Sequence, residues 1–353
     1  MSKKTIQNLL ILGGTLFLFS QCKNDAKLLP TLTVHRFDQL MSKIDTLHVD
    51  EGMAALQKQY PDFTYFYFSE LMPPQTPAKR EELVKIGKDS LARATMKFPH
   101  AKQLLTYPTV RKILDTTQIV YQNFEPIRVE LQKTFRNLTQ FFPKYQTPEV
   151  YTFISEYGYA VLLPPKPNTI AIGLDLFLGE SHKDYSNPLL QMPNFVTKTF
   201  TPAHIPVRVV EAILTEEMGN ATKGDRMIDR MIANGKRMYI LDKVLPELAD
   251  SVKWGFTNAQ VKWCRDNESE MWAFFTTQKL LYATEMRKIR TYIENAPNST
   301  NMPPESPGRT GDFIGFKIVS QFMEKNPNTT FEQLLALPDA QFILDKSKYK
   351  PAR

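Results

Sequence analysis

Two cysteines in 353 residues, Cys22 and Cys264, exclude most thiol chemistry. No C-x-x-C is present, so neither a thiolate metal cluster nor a dithiol redox motif can be assembled. If Cys22 is modified, no intramolecular disulfide is possible. The five histidines, His35, His48, His100, His182 and His204, are scattered, and none has a second histidine three or four residues away. A local metal-binding pair on one helix face is thereby excluded. Glycine is scarce, 14 residues against 25 prolines, which points to stiff loops and marked helix ends. There is no block of five like charges. Lys+Arg number 44 and Asp+Glu 37, and a formal charge of +7 is modest for this length. A solvated basic surface is therefore favoured, and nucleic acid is not an expected partner. Against these absences stand 42% apolar and 11% aromatic residues, enough to bury a sizeable core.

The most specific short signal is N-terminal. Lys3 and Lys4 precede the apolar run 9–19, which is too short to span a bilayer comfortably and ends in Phe19-Ser20-Gln21-Cys22. This resembles a bacterial lipobox, in which the thiol is acylated and becomes the new N-terminus after cleavage. An uncleaved anchor and an ordinary secretory signal are the alternatives. Each buried CH₂ of an acyl chain contributes about 0.8 kcal/mol, and stable anchoring needs more than one chain. A diacylglycerol plus an amide-linked chain on Cys22 meets that need. Residues 1–21 thus read as a lipoprotein signal peptide and 22–30 as a polar tether.

Apolar spacing predicts helices over 34–44, 51–59, 77–96, 108–123 and 126–142, several of them opened by proline. Six aromatics fall within residues 60–68. They are not interleaved with Arg or Lys, so core packing is favoured over a binding surface. Residues 31–145 therefore form a helical N-terminal layer. Beyond Pro148 the composition changes. Short β-branched and aromatic runs at 150–155, 159–163 and 169–174 read as three strands of a meander. Helices follow over 207–218, 227–241, 258–264, 268–287, 311–324 and 331–337. The fold class expected is α+β, predominantly helical, with a small antiparallel sheet surrounded by helices. Residues 146–353 make the α+β core, with the 31–145 layer packed against it as one globular unit. Cys264 beside Trp263 reads as a buried small hydrophobe.

Several blocks span nearly the whole mature chain. They are Arg36-Phe37-Asp38, Ile172-Gly173-Leu174-Asp175 with Leu178-Gly179, and Gly235-Lys236-Arg237-Met238-Tyr239. Next come Trp263-Cys264-Arg265-Asp266-Asn267-Glu268 with Trp272, and Leu280-Leu281-Tyr282. Ser306-Pro307-Gly308-Arg309-Thr310-Gly311 with Ile314-Gly315 follows, and the basic tail 346–351 closes the series. Together they resemble the gliding-motility-associated lipoproteins of the GldB type found in Bacteroidetes. The resemblance implies a lipid-anchored envelope protein, on the outer membrane facing the periplasm, that supports gliding motility or the type 9 protein secretion machinery. It implies a non-enzymatic binding or assembly factor with protein partners in that apparatus, a membrane contact through lipid on Cys22, no metal and no other cofactor. It transfers no chemistry. Asp175, Gly235, Glu268, Trp272, Arg309, Gly311 and Gly315 are motif residues of unassigned role, and no catalytic residue is named. The two glycines around Arg309 should allow a tight entry into the last long helix, with Arg309 pairing to Glu268 or Glu305.

A fainter resemblance is to zinc peptidases of the H-E-x-x-H kind, and it implies a degenerate zincin-like core. Here Thr215-Glu216-Glu217-Met218-Gly219 keeps a glutamate in second place and offers no histidine, while Asn234 stands where a further acidic ligand would be. Two alternative functions stay open. One is a hydrolase using Glu216 and Glu217 with His182 or His204, although adjacent helical side chains point about 100° apart. The other is a module binding cell-wall polysaccharide through exposed aromatics in 60–68.

Overall fold

Proline stands in the first or second position of five helices in the N-terminal half, where its missing N–H has no intrahelical partner to lose. The computed structural model describes residues 31–218 and 224–351, without the side chains of 217 and 218. The segments expected as signal peptide and tether, with Cys22, and Gly219 lie outside the described residues. Leu32–Arg353 forms one compact unit. Its elements begin with β1 (Val34–Arg36), α1 (Phe37–Ser42), α2 (Val49–Gln59), α3 (Pro61–Phe66) and a π-helical turn. Next come α4 (Pro77–Ile86), α5 (Ser90–Arg93), α6 (Pro99–Thr106), α7 (Pro108–Val120) and α8 (Glu125–Phe141). The strands β2 (Glu149–Phe153), β3 (Val161–Leu162) and β4 (Thr169–Gly173) lead into α9 (Asn194–Thr197), α10 (Ile205–Met218) and α11 (Met227–Val244). The chain closes with α12 (Asp250–Trp254), α13 (Asn258–Asp266), α14 (Glu268–Thr277), α15 (Met286–Ile293), α16 (Thr310–Lys325), α17 (Phe331–Ala336) and α18 (Ala340–Ser347).

The fold is α+β and predominantly helical, as the sequence predicts, but the sheet differs in detail. It is mixed and four-stranded, in the order β1-β2-β4-β3, with β1 and β4 both parallel to β2 and only β3 antiparallel to β4. A pure meander would set β3 beside β2. Instead β4 returns between them, a pairing that side-chain alternation alone does not specify. The fourth strand, β1, comes from the segment expected to be helical over 34–44. Val34 fits the helical spacing of Phe37, Met41 and Ile44, yet it pairs with Val150. The helix expected over 77–96 breaks into α4 and α5, and that over 268–287 ends at Thr277.

One continuous cluster of buried apolar side chains includes residues from Leu32 to Ile343. The 60–68 aromatics belong to it: Phe63, Tyr65, Tyr67 and Phe68 are buried, and Phe63 stacks on Tyr151 with centroids 4.2 Å apart. The polysaccharide reading thereby loses the exposed aromatics it required.

Among the C-terminal helices, α11 and α16 share the largest contact of any two elements. Glycine makes that crossing possible. A Cβ on Gly315 would stand 1.9 Å from the Met231 carbonyl oxygen, and one on Gly235 would stand 2.4 Å from the Gly315 carbonyl. Gly311 lets the start of α16 approach the end of α15, where a Cβ would meet the Tyr292 carbonyl oxygen at 2.7 Å. Three motif glycines thus have one physical role, the close approach of helix backbones.

Candidate functional site

The same crossing opens a cleft of about 510 Å³. Its walls are Arg208, Glu211, Leu214 and Thr215 from α10, and Asn234, Arg237, Met238 and Leu241 from α11. Arg290, Ile293, Glu294 and Asn295 come from the end of α15 and the two residues beyond it, and Arg309 and Asp312 from the start of α16.

Arg309 enters α16 in a left-handed conformation, φ +63°. The strain expected at a glycine therefore falls on the arginine itself, while Gly308 serves a close approach to the Ala296 backbone. This conformation aims the guanidinium back at its own helix. Its Nε donates to Asp312 Oδ2 at 2.8 Å, and the guanidinium carbon lies 6.0 Å from the Trp254 ring centre. The expected partners of Arg309 are not used: Glu268 is engaged elsewhere and Glu305 is exposed. Asp312 is 1% exposed and also accepts from Asn234 Nδ2 at 2.8 Å. Burial pushes its carboxyl up to about 6, against the pull of Arg309, Asn234 and Arg237.

Across the cleft, Arg208 pairs with Glu211 at 2.7 Å and donates to Thr199 Oγ1 at 3.0 Å. Arg290 pairs with Glu294 at 2.8 Å on the exposed rim. Arg237 differs from these three arginines. Its Nη1 donates to the Asn234 amide oxygen at 3.0 Å, and its Nε is buried with no hydrogen-bond partner among the described residues. Among the described residues no carboxylate forms an ion pair with it. Burial lowers its affinity for the proton, and Asp312 and Glu211 partly offset that. It remains charged, as arginine does in proteins.

The zincin comparison finds little support in this geometry. Thr215 is exposed, and its hydroxyl donates to the Glu211 carbonyl one turn back. Glu216 is exposed, and Asn234 spends both amide hydrogens' worth of bonding on Asp312 and the Ile293 carbonyl. His182 contacts Tyr157, whereas His204 bonds Thr201 and borders a recess with Arg208 and Glu211. Burial pushes His204 down to about 4, with Arg208 adding to the effect. Among the described residues, no three His, Cys, Asp or Glu side chains are grouped to hold a metal ion.

The other motif residues lie outside the cleft and act as buried ties. Asp175 Oδ2 accepts from the backbone N–H groups of Ser155 at 3.0 Å and Tyr157 at 2.6 Å. It thereby holds the turn in which Glu156 and Tyr157 both have positive φ. Glu268, buried, pairs with Lys317 at 2.9 Å and accepts from the Tyr349 hydroxyl at 2.9 Å. Trp272 packs edge-on against the same Tyr349, so this pair fixes the C-terminal tail. Cys264 is buried, and burial pushes its thiol up to about 12. Arg208, Glu211, Arg237 and Asp312 were not singled out by sequence. Arg237 lies inside a quoted block and Asp312 directly follows another, and Arg208 with Glu211 has the i,i+3 spacing of a helical ion pair.

Among the described residues no helix is long and apolar enough to cross a membrane. No curated protein and no solved structure matches the chain. A family model does: the one described as gliding motility protein GldB covers residues 20–351, through every motif block to the tail. The glycine crossing, the cleft above it and the buried ties all fall within that span, and the chain belongs to the GldB family.

Proposed function

We propose that this protein is an envelope lipoprotein anchored by lipid on Cys22, on the outer membrane facing the periplasm. It supports gliding motility or the associated type 9 secretion machinery as a non-enzymatic binding or assembly factor. The family match over residues 20–351 carries this reading. Two features of the cleft agree with it. Every carboxylate lining it is paired with an arginine, which leaves none free as a general base. Thr215, where a zincin would present a metal ligand, turns its hydroxyl to the helix backbone. The cleft then serves as a recognition site for an envelope partner.

Complementation of a deletion strain tests this. Wild type should restore gliding or, in a non-gliding host, type 9 secretion. Cys22→Ser should leave the membrane fraction after a high-salt wash and fail to complement. Arg237→Gln should fail at wild-type abundance, and Glu216→Gln should complement fully. Purified protein should carry well under one zinc per chain by elemental analysis. Stoichiometric zinc, with loss of complementation by Glu216→Gln at unchanged stability, would overturn the non-enzymatic reading.

A further inference from the structure

We infer that the cleft beside Arg237 receives a carboxylate set next to an apolar side chain, as presented by the C-terminal residue of a peptide. This deepens the reading of the cleft as a recognition site and rests on it.

The first support is the charge balance. Four guanidinium groups line the cleft and three carboxylates face them, and the three ion pairs leave Arg237 over. A half-buried charge is ordinarily paired, because desolvation without a counter-charge is costly. Among the described residues Arg237 has one amide oxygen and no carboxylate, so its bonding there is incomplete. The second support is the sign and size of what is missing. Glu211, Glu294 and Asp312 remain in the walls, so a single negative charge balances the cleft, whereas a phosphate dianion would overshoot that balance by one charge beside three carboxylates. A planar carboxylate also matches two parallel N–H groups of a guanidinium. The third support is the apolar part of the wall. Leu214, Leu241 and Ile293 lie within the same cleft as the arginine. They give a side chain next to the carboxylate somewhere dry to go. A volume of about 510 Å³ accommodates one or two residues and not a folded surface.

Calorimetric titration of the full-length, detergent-solubilised protein tests this with three probes: N-acetyl-leucine, N-acetyl-leucinamide and inorganic phosphate. N-acetyl-leucine should saturate one site. Amidation should weaken binding about tenfold or more, since it removes a charge-assisted pair. Phosphate should bind more weakly than N-acetyl-leucine. Arg237→Gln should abolish binding. Thr215→Trp, placed at the exposed mouth, should weaken it with no change in melting temperature, and it decides the matter if the arginine variant does not fold. Equal binding of the acid and its amide, stronger binding of phosphate, or no saturation by N-acetyl-leucine overturns the inference. If the acid does not bind while Arg237→Gln still fails to complement, only the carboxylate inference falls. If the acid binds and Arg237→Gln complements, the ligand class is supported and the role of the cleft in the cell falls.

Discussion

Arg36 and Arg237 are both half-buried arginines from motif blocks, and they are satisfied very differently. Arg36 gives Nε and Nη2 to Asp38 at 3.0 and 2.7 Å and Nη1 to the Tyr121 carbonyl at 3.1 Å, over the Phe124 ring. Asp38, fully buried, also accepts from Gln118 and from the Thr152 hydroxyl. That network joins β1, α1, α7 and β2 and is closed: each guanidinium nitrogen is used. Among the described residues Arg237 has one side-chain bond, to an amide, and a buried Nε without a partner. A closed network ties elements together. An open one at a cleft keeps bonding capacity for something outside the chain. On the proposed reading of the cleft, the difference separates motif residues that serve folding from those that serve recognition.

The largest expected effect is at the glycine crossing beneath the cleft. Gly315→Val should destabilise by more than about 5 kcal/mol, because backbone rather than a movable side chain occupies the Cβ position. Loss of cooperative urea unfolding would show it, and a variant within 1–2 kcal/mol of wild type, roughly, would mean that the helices slide apart cheaply. Next comes the closed network. Asp38→Ala leaves Arg36 without its counter-charge and should cost about 3–5 kcal/mol. A smaller loss in urea midpoint would mean that Tyr121 and Phe124 hold Arg36 on their own.

How much of this was legible in the sequence follows from the range of the interactions. Helix faces repeat every few residues, so most helices and the core role of Phe63 and Tyr67 could be read locally. The three-residue β1 could not, since its partner Val150 is more than a hundred residues away. Pro77 correctly marked α4, and Gly87 with Asp89, the local marks of its stop and of the start of α5, were outweighed by the continuing apolar spacing. The glycines at 311 and 315 have the i,i+4 spacing of one helix face, yet only the fold shows that Met231 and Tyr292 fill the space. Arg309 was expected to pair with Glu268 or Glu305. It turns to Asp312 three residues on, because the positive φ lies on the arginine. The cleft itself was illegible: its arginines come from four segments, and the surplus of one charge exists only once they meet.

Asp175 offers a smaller effect, visible as a pH dependence. Burial pushes its carboxyl up to about 6 from an ordinary 3.8, against the pull of the Tyr157 and Ser155 N–H groups. Between these values the folded state holds a proton that the unfolded chain has released. Stability from this group is therefore full below pH 4, roughly, and is lost as pH rises through about 6, by ~3 kcal/mol in total. Asp312 is shifted in the same direction, and His204 is pushed down to about 4, which acts oppositely. The informative quantity is thus the difference between wild type and Asp175→Asn. It should change by ~3 kcal/mol in favour of the variant from pH 4 to pH 7. A flat difference across that range would mean that the turn's two N–H groups keep Asp175 ionised.

The smallest stability effect is expected where the functional effect is largest. Arg237→Gln removes one hydrogen bond to Asn234, worth about 1 kcal/mol. It also removes a partly desolvated charge that has no carboxylate to balance it, which works in the opposite direction. The two should nearly cancel, leaving stability within about 1 kcal/mol of wild type. Arg36→Gln makes the matched control. The same change there strands the fully buried Asp38 carboxylate and should cost about 3 kcal/mol or more. Urea midpoints of the two variants, measured side by side at pH 7, decide between the readings. A loss of more than about 3 kcal/mol in Arg237→Gln would make Arg237 a structural tie like Arg36. The surplus charge would then belong to folding, and the cleft would have no claim to an outside partner.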